Sequence, residues 1–192
     1  MNISHNLISG EIDVLFAPSI KDLDASFNKF KKVKPFEGFK PSHLSLRKVD
    51  LSHNLINQEL KILFRNVPVN LEEILLSHNR LVGSFPASLE YLDVLRSVEI
   101  ASNFLTGTLP DLSASFPKLR VLILSDNSFT GPITGTLTNL QFLNKLDLSR
   151  NGLSSFDETA VLPNLIQLAE LDLSYNELAS TIPKGIGKLS CK

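Results

Sequence analysis

The residues best suited to chemistry in this chain of 192 are His53 and His78, each set in a Ser-His-Asn triplet. If the two triplets lie on neighbouring strands, about 4.8 Å apart, their imidazoles can share a metal or sense pH. No third ligand accompanies them at a matching spacing, and Cys191 is the only cysteine, so neither a metal site nor an internal disulfide is expected. Ser and Asp are plentiful, yet the arrangements that activate them are missing. The sequence contains no Gly-rich phosphate loop followed by Lys and Ser or Thr, no Gly-x-Ser-x-Gly, no kinase catalytic-loop triplet and no His-Glu-x-x-His. It therefore predicts no catalytic residue, no cofactor and no metal.

The elements that must position the two histidines follow from a repeat. The stretch Leu143-Asn144-Lys145-Leu146-Asp147-Leu148-Ser149-Arg150-Asn151 has apolar residues at its first, fourth and sixth places and Asn at its ninth. That Asn recurs as Asn6, Asn28, Asn54, Asn79, Asn103, Asn127, Asn151 and Asn176, in steps of 22 to 26 residues. A period in the twenties indicates stacked coils, a quasi-one-dimensional solenoid rather than a globule around a single core. Alternation around the fourth and sixth places makes a short strand in each coil. Stacking pairs those strands into a parallel sheet and merges the Leu rows into one core, at about 25 cal/mol per Å² of apolar area removed from water. The chain turns sharply inward near the Asn, where peptide groups lack partners in their own coil. An amide supplies both donor and acceptor, so the eight asparagines are expected to form a ladder linking coil to coil.

After the Asn, several coils read alike: Asn79-Arg80-Leu81-Val82-Gly83-Ser84-Phe85-Pro86, Asn103-Phe104-Leu105-Thr106-Gly107-Thr108-Leu109-Pro110, Asn127-Ser128-Phe129-Thr130-Gly131-Pro132-Ile133 and Asn176-Glu177-Leu178-Ala179-Ser180-Thr181-Ile182-Pro183. In these segments the chain resembles the plant-type leucine-rich-repeat family. The likeness implies an α/β fold: a right-handed solenoid with a parallel β-sheet on its concave face and short 3₁₀, helical or irregular convex segments. Gly would permit the turn after the Asn, and Pro would fix φ where the convex side starts. Leu89, Leu92 and Leu95, spaced by three, suit a short 3₁₀ or helical crossover. The resemblance extends to ectodomain segments of receptor-like kinases, receptor-like proteins and polygalacturonase inhibitors. It implies a non-catalytic module that binds a protein or peptide on its concave face, extracellular or plasma-membrane-associated, in signalling or defence. The alternatives are a soluble cytoplasmic scaffold built of the same coils, or a fragment with no independent function.

In such a fold the variable places face the concavity. The fifth-place column reads Asn2, Asp24, Asp50, Leu75, Glu99, Ile123, Asp147 and Asp172, so the three central coils interrupt a run of acids. Exposed apolar residues in one patch are more informative than exposed polar ones. The candidate partner-binding surface is accordingly Glu73, Leu75, His78, Glu99, Val121, Ile123 and Asp126. Two coils depart from the pattern. The second interleaves Lys29, Lys31, Lys32, Lys34 and Lys40 with Phe30, Phe36 and Phe39, where Phe is expected to replace Leu in the core and Lys to line a solvated bulge. The seventh carries Ser154-Ser155-Phe156-Asp157-Glu158-Thr159-Ala160 in place of the usual turn, and a bulge is expected there too.

Charge is almost balanced, 19 Lys plus Arg against 20 Asp plus Glu, which argues against nucleic acid as a partner. No run of 18 apolar residues suggests a membrane span, and the first thirty residues lack the pattern of a signal peptide. Met1 falls at a fourth place, and the row that includes Ile186 and Leu189 would continue at Lys192. The expectation is thus a single solenoid of about eight repeats over 1–192, uncapped at both ends and part of a longer protein. One Asn-x-Ser glycosylation acceptor, Asn2-Ile3-Ser4, lies in the first strand.

Overall fold

The computed structural model describes residues 1–13, 19–34, 45–64, 67–86, 92–112, 115–135, 137, 140–156 and 165–181. Cys191, Leu89, Phe36, Phe39, Lys40, Ile182, Pro183, Ile186, Leu189 and the 157–160 part of the seventh-coil segment lie outside the described residues. The strands are β1 (Ser9–Ile12), β2 (Asp22–Asp24), β3 (Lys29–Val33), β4 (Lys48–Asp50), β5 (Glu73–Leu75), β6 (Val82–Ser84), β7 (Ser97–Glu99), β8 (Phe104–Gly107), β9 (Val121–Ile123), β10 (Ser128–Ile133), β11 (Lys145–Asp147), β12 (Gly152–Phe156) and β13 (Glu170–Asp172). One helical turn, α1 (Leu60–Leu63), crosses the third coil.

Seven of these strands form the parallel sheet that the repeat implies, in the order β13-β11-β9-β7-β5-β4-β2. Each contributes its third, fourth and fifth places, and Asn2 extends the fifth row by a bridge to Asp24. The register never slips, because the middle residue of each strand is the apolar one and a one-residue shift would turn it to water. From Leu23 to Leu146 these fourth-place residues are buried, as are the sixth-place Leu51, Leu76, Ile100, Leu124 and Leu148. Each fully buried Leu or Ile is worth about 1.5–3 kcal/mol relative to exposure. The spacing of three before each strand becomes one tight turn. The amides of Leu71, Leu95, Leu119, Leu143 and Leu168 donate to the carbonyls of Pro68, Leu92, Phe116, Leu140 and Leu165, three residues back.

The segments after the Asn were expected to be turns, and here the structure differs. They form lateral strands: β12-β10-β8-β6 in one sheet and β1-β3 in another. Gly131 keeps a positive φ of 81°, but it sits inside β10, where an added Cβ would lie 3.0 Å from the Thr108 Cγ2. The glycine thus admits a close neighbour while pairing continues, rather than ending the strand. Both unusual coils carry their irregularity in this layer. Gly10 pairs with Phe30 and Glu11 with Lys32, leaving Lys31 as the extra residue, and Gly131 pairs with Leu153 and Pro132 with Ser155, leaving Ser154. Phe30 is buried in the core while Lys29, Lys31, Lys32 and Lys34 are exposed. In the third coil Gln58 occupies the glycine place, and its side chain takes over the link. Gln58 Oε1 accepts from the Val33 N–H at 2.9 Å, and its Nε2 donates to the Val33 carbonyl at 3.3 Å.

The asparagine side chains stand in one file between the two layers. Asn103 Oδ1 accepts from the Leu81 N–H of the preceding coil at 2.9 Å. Its Nδ2 reaches the Leu76 carbonyl of that coil at 3.1 Å and the Ile100 and Ala101 carbonyls of its own coil at 3.2 and 3.0 Å. Asn28, Asn54, Asn79, Asn127, Asn151 and Asn176 repeat both halves of this pattern. Among the described residues the Asn6 amide donates to Ile3 and Ser4 alone, within its own coil. Among the described residues no buried side-chain polar atom lacks a partner. Asn103→Ala strands the Leu81 N–H and leaves the Leu76, Ile100 and Ala101 carbonyls one donor each, from Asn79, Asn127 and the His78 N–H, and is expected to lower the free energy of unfolding in urea by about 1–3 kcal/mol. Asn6→Ala should cost clearly less; equal losses would remove the coil-to-coil role from the amide.

Candidate functional site

The sheet exposes three rows on its open side: the third, fifth and eighth places. The eighth place is where the chain reverses. His5, Phe27, His53, His78, Ser102, Asp126, Arg150 and Tyr175 all have φ between 52° and 57°. A left-handed conformation costs an L-residue roughly 1–2 kcal/mol, and His and Asp accept it more readily than most. Main-chain bonds to the coils on either side offset that cost. The His78 N–H donates to the Ala101 carbonyl at 2.9 Å, and the His78 carbonyl accepts from the Asn54 N–H at 3.2 Å. The sharp turn therefore lies one residue before the Asn, and sequence reasoning had no signal for it because the eight side chains share no chemistry.

Stacked coils bring the eighth-place rings face to face. The His5, Phe27, His53 and His78 rings follow one another at centroid distances of 4.3, 4.0 and 4.2 Å, with planes within 9°, 10° and 20°. At the other end of the row the Arg150 guanidinium lies 4.4 Å from the Tyr175 ring centroid. Stacked imidazoles point their in-plane lone pairs side by side, so His53 and His78 do not converge on a common ion. Among the described residues no group of three or more His, Cys, Asp or Glu could hold a metal. Burial in the stack, reinforced by the neighbouring His78 and opposed by Asp50, holds His53 below the usual imidazole range.

The fifth row shows why acid is its default residue. Asp50 Oδ1 accepts from the Ser52 N–H at 3.0 Å and from the Ser52 hydroxyl at 2.7 Å. Asp24 with Ser26 and Asp147 with Ser149 do the same, as does Asn2 with Ser4. The Ser174 N–H likewise donates to Asp172, and that pairing holds the Asp172 carboxyl below the usual carboxylate range. These contacts brace the bend between strand and turn. The pairing is visible as Asp-Leu-Ser in three coils, a signal that sequence analysis passed over.

In the three central coils the brace is absent. Leu75, Glu99 and Ile123 occupy the row on β5, β7 and β9, in direct register and half-buried. Ser77, without an acid to bond, accepts from the Ala101 N–H of the next coil at 3.0 Å. Glu73 and Val121 flank Ser97 in the third row. Glu73 is engaged by Lys48 Nζ at 2.8 Å, a bond that raises the lysine's affinity for its proton. Glu99 accepts a bond from the Ser97 hydroxyl at 3.2 Å and has no cation within salt-bridge distance among the described residues. Of the seven candidate residues, Glu73, Leu75, Glu99, Val121 and Ile123 thus share one patch. His78 and Asp126 lie on its rim, exposed and separated by Ser102. Lys48 and Ser97 belong to the same surface and were not singled out from the sequence.

The lowered His53 value has a definite consequence. An unfolded His takes up its proton near pH 6.5, and the folded ring resists until lower pH, so acid weakens the fold through His53 from about pH 6.5 down to the folded value. NMR titration is expected to place the His53 midpoint below 6.5 and to move it upward in His78→Ala. A midpoint that ignores His78 would remove the stack as its cause.

Three stretches, residues 70–92, 118–140 and 167–189, match the family described as Leucine Rich Repeat. Receptor-like protein 43 of Arabidopsis thaliana is 35% identical over 92 residues, which is 48% of this chain and 12% of that protein. The ectodomain of the plant membrane receptor kinase GASSHO1/SCHENGEN3 from Arabidopsis thaliana, solved in complex with CASPARIAN STRIP INTEGRITY FACTOR 2, matches 98% of this chain with a TM-score of 0.84 and 30% identity. The PEPR1-AtPEP1 structure matches 93% with a TM-score of 0.68 and 27% identity. The chain spans only 23% and 28% of the lengths of those two solved chains. No helix among the described residues is long and apolar enough to cross a membrane. Repeat period, register and relatives together show a leucine-rich-repeat solenoid fold, similar to that of the ectodomains of plant receptors.

Proposed function

We propose that this chain is a non-catalytic recognition surface of the plant receptor type, presenting its sheet to an extracellular peptide or protein in signalling or defence. One observation carries the reading. Of the three central coils, two give up at the fifth place the Asp that elsewhere braces the backbone and carry Leu75 and Ile123 there instead, and the Glu99 between them makes no brace. Apolar side chains on an open sheet face forfeit that brace and gain nothing from water, so a partner is what makes the exchange favourable. The seven candidate residues, Glu73, Leu75, His78, Glu99, Val121, Ile123 and Asp126, supply an apolar centre and a polar rim, the usual anatomy of a contact surface. The strand register holds the surface in place before binding, so little ordering entropy is lost on association.

The structural relatives are consistent with this reading. One was solved with CASPARIAN STRIP INTEGRITY FACTOR 2 and another as PEPR1-AtPEP1, and the BIR3–SERK2 complex from Arabidopsis thaliana has a TM-score of 0.51 at 32% identity. The reading is tested by immobilising the chain and passing over it the extracellular fluid of plant tissue, with bound peptides and proteins quantified by mass spectrometry. Ile123→Asp is expected to reduce specific capture about tenfold, as for a central interface residue. The exposed Glu177→Lys, away from the sheet face, should leave capture unchanged. Equal capture by Ile123→Asp and the unaltered chain overturns the assignment.

A further inference from the structure

The same patch points to the chemistry of what it holds. Across the seven paired strands the fifth row contains Asp24, Asp50, Glu99, Asp147 and Asp172 and no basic residue. The third row adds Asp22, Glu73 and Glu170 against two cations, Lys48 and Lys145. Both lysines are already bound to acids of their own row, Lys48 to Glu73 at 2.8 Å and Lys145 to Glu170 at 2.6 Å. The open face is thus strongly acidic in a chain whose formal net charge is only −1. Most of these acids have a use within the protein, bracing a serine or holding a lysine. Among the described residues Glu99 has neither a backbone amide to cap nor a cation in contact and takes only the Ser97 hydroxyl bond, while Lys48 and Lys145 attract it from beyond ion-pair distance.

Its neighbours are unusual as well. Leu75 and Ile123 stand on either side of Glu99 in register, one strand spacing away in each direction, or about 4.8 Å. The result is a carboxylate at the centre of a short apolar trough. Lys and Arg side chains match that arrangement, since they lay an apolar stem along apolar surface and keep the charged head for a polar partner. We propose that Glu99 receives a Lys or Arg side chain of an extended partner peptide, with Leu75 and Ile123 packing along its stem. The flanking fifth-row acids then favour a partner that is basic along its length. A neutral apolar anchor would leave the Glu99 charge half-buried with no cation in contact, only Lys48 and Lys145 at a distance, and an acidic one would meet repulsion from the whole row. This inference rests on the concave-face reading and adds the identity of the anchor.

The test uses the whole chain and an array of extended decapeptides of defined sequence, with dissociation constants measured for the strongest binders. Binders are expected to carry Lys or Arg, to weaken as salt is raised, and to lose about tenfold or more in affinity to Glu99→Gln, the scale of a charge-assisted hydrogen bond. They should bind equally to Glu177→Gln. Circular dichroism should report the same fold for each variant, because Glu99→Gln keeps the shape of the side chain and its bond to Ser97. Binders that lack basic residues, resist Glu99→Gln and are lost on Ile123→Asp overturn the cation anchor and leave the concave face standing. Binding that neither substitution alters, or no binding to any peptide, overturns both.

Discussion

Coil-to-coil satisfaction of the backbone is the constraint on which everything else in this molecule rests. A chain that reverses direction once per coil leaves amides and carbonyls pointing along the solenoid axis, into the space between turns. Water does not reach that space, and each orphaned group would cost about 1–3 kcal/mol. The Asn file resolves this with a side chain that accepts from one coil and donates to two. Because its bonds are spaced by the coil itself, the amide also fixes the relative height of neighbouring strands. The unbroken register of the seven-stranded sheet and the alignment of rings at 4.0–4.3 Å follow from that fixed height.

Two layers with different logic meet at this file. The concave layer is specified by side chains, Leu, Val or Ile at every fourth and sixth place save Met1 and Ala25, and tolerates no slip. The lateral layer is specified by the backbone and absorbs irregularity. It accepts an extra Lys31 in one coil and an extra Ser154 in another, and lets the Gln58 amide stand in where a strand is missing. Steps of 22 to 26 residues between asparagines can therefore coexist with a perfectly paired sheet. These single extra residues fall in the layer that does not carry the candidate site.

This division explains what could be read from the chain alone. The period, the core rows and the concave columns depend on residue type, so Leu146, Leu148 and Asn151 declare their positions. The lateral strands do so only in part, because KFKKV and GLSSF share a main-chain path and one buried apolar residue, Phe30 and Leu153, with little else in common. The reversal at the eighth place is hidden for the same reason: His53, Ser102 and Arg150 adopt one φ with unrelated side chains. The Leu75, Glu99 and Ile123 row was legible as an interruption of acids. Its meaning was not, since the interruption only matters once Asp50 and Asp147 are seen bracing their serines. The spacing brings the two histidines close but without the third ligand a metal needs, and it says nothing about ring orientation, so the stacking that turns the pair into a plank of aromatic surface stays hidden.

The left-handed row also bears on how such a protein can change over generations. Its structural duty is discharged entirely by peptide groups, so His, Phe, Ser, Asp, Arg and Tyr all occupy it without disturbing the spine. Selection can therefore rewrite this edge one letter at a time, trying new chemistries beside the groove while the scaffold beneath is inherited intact.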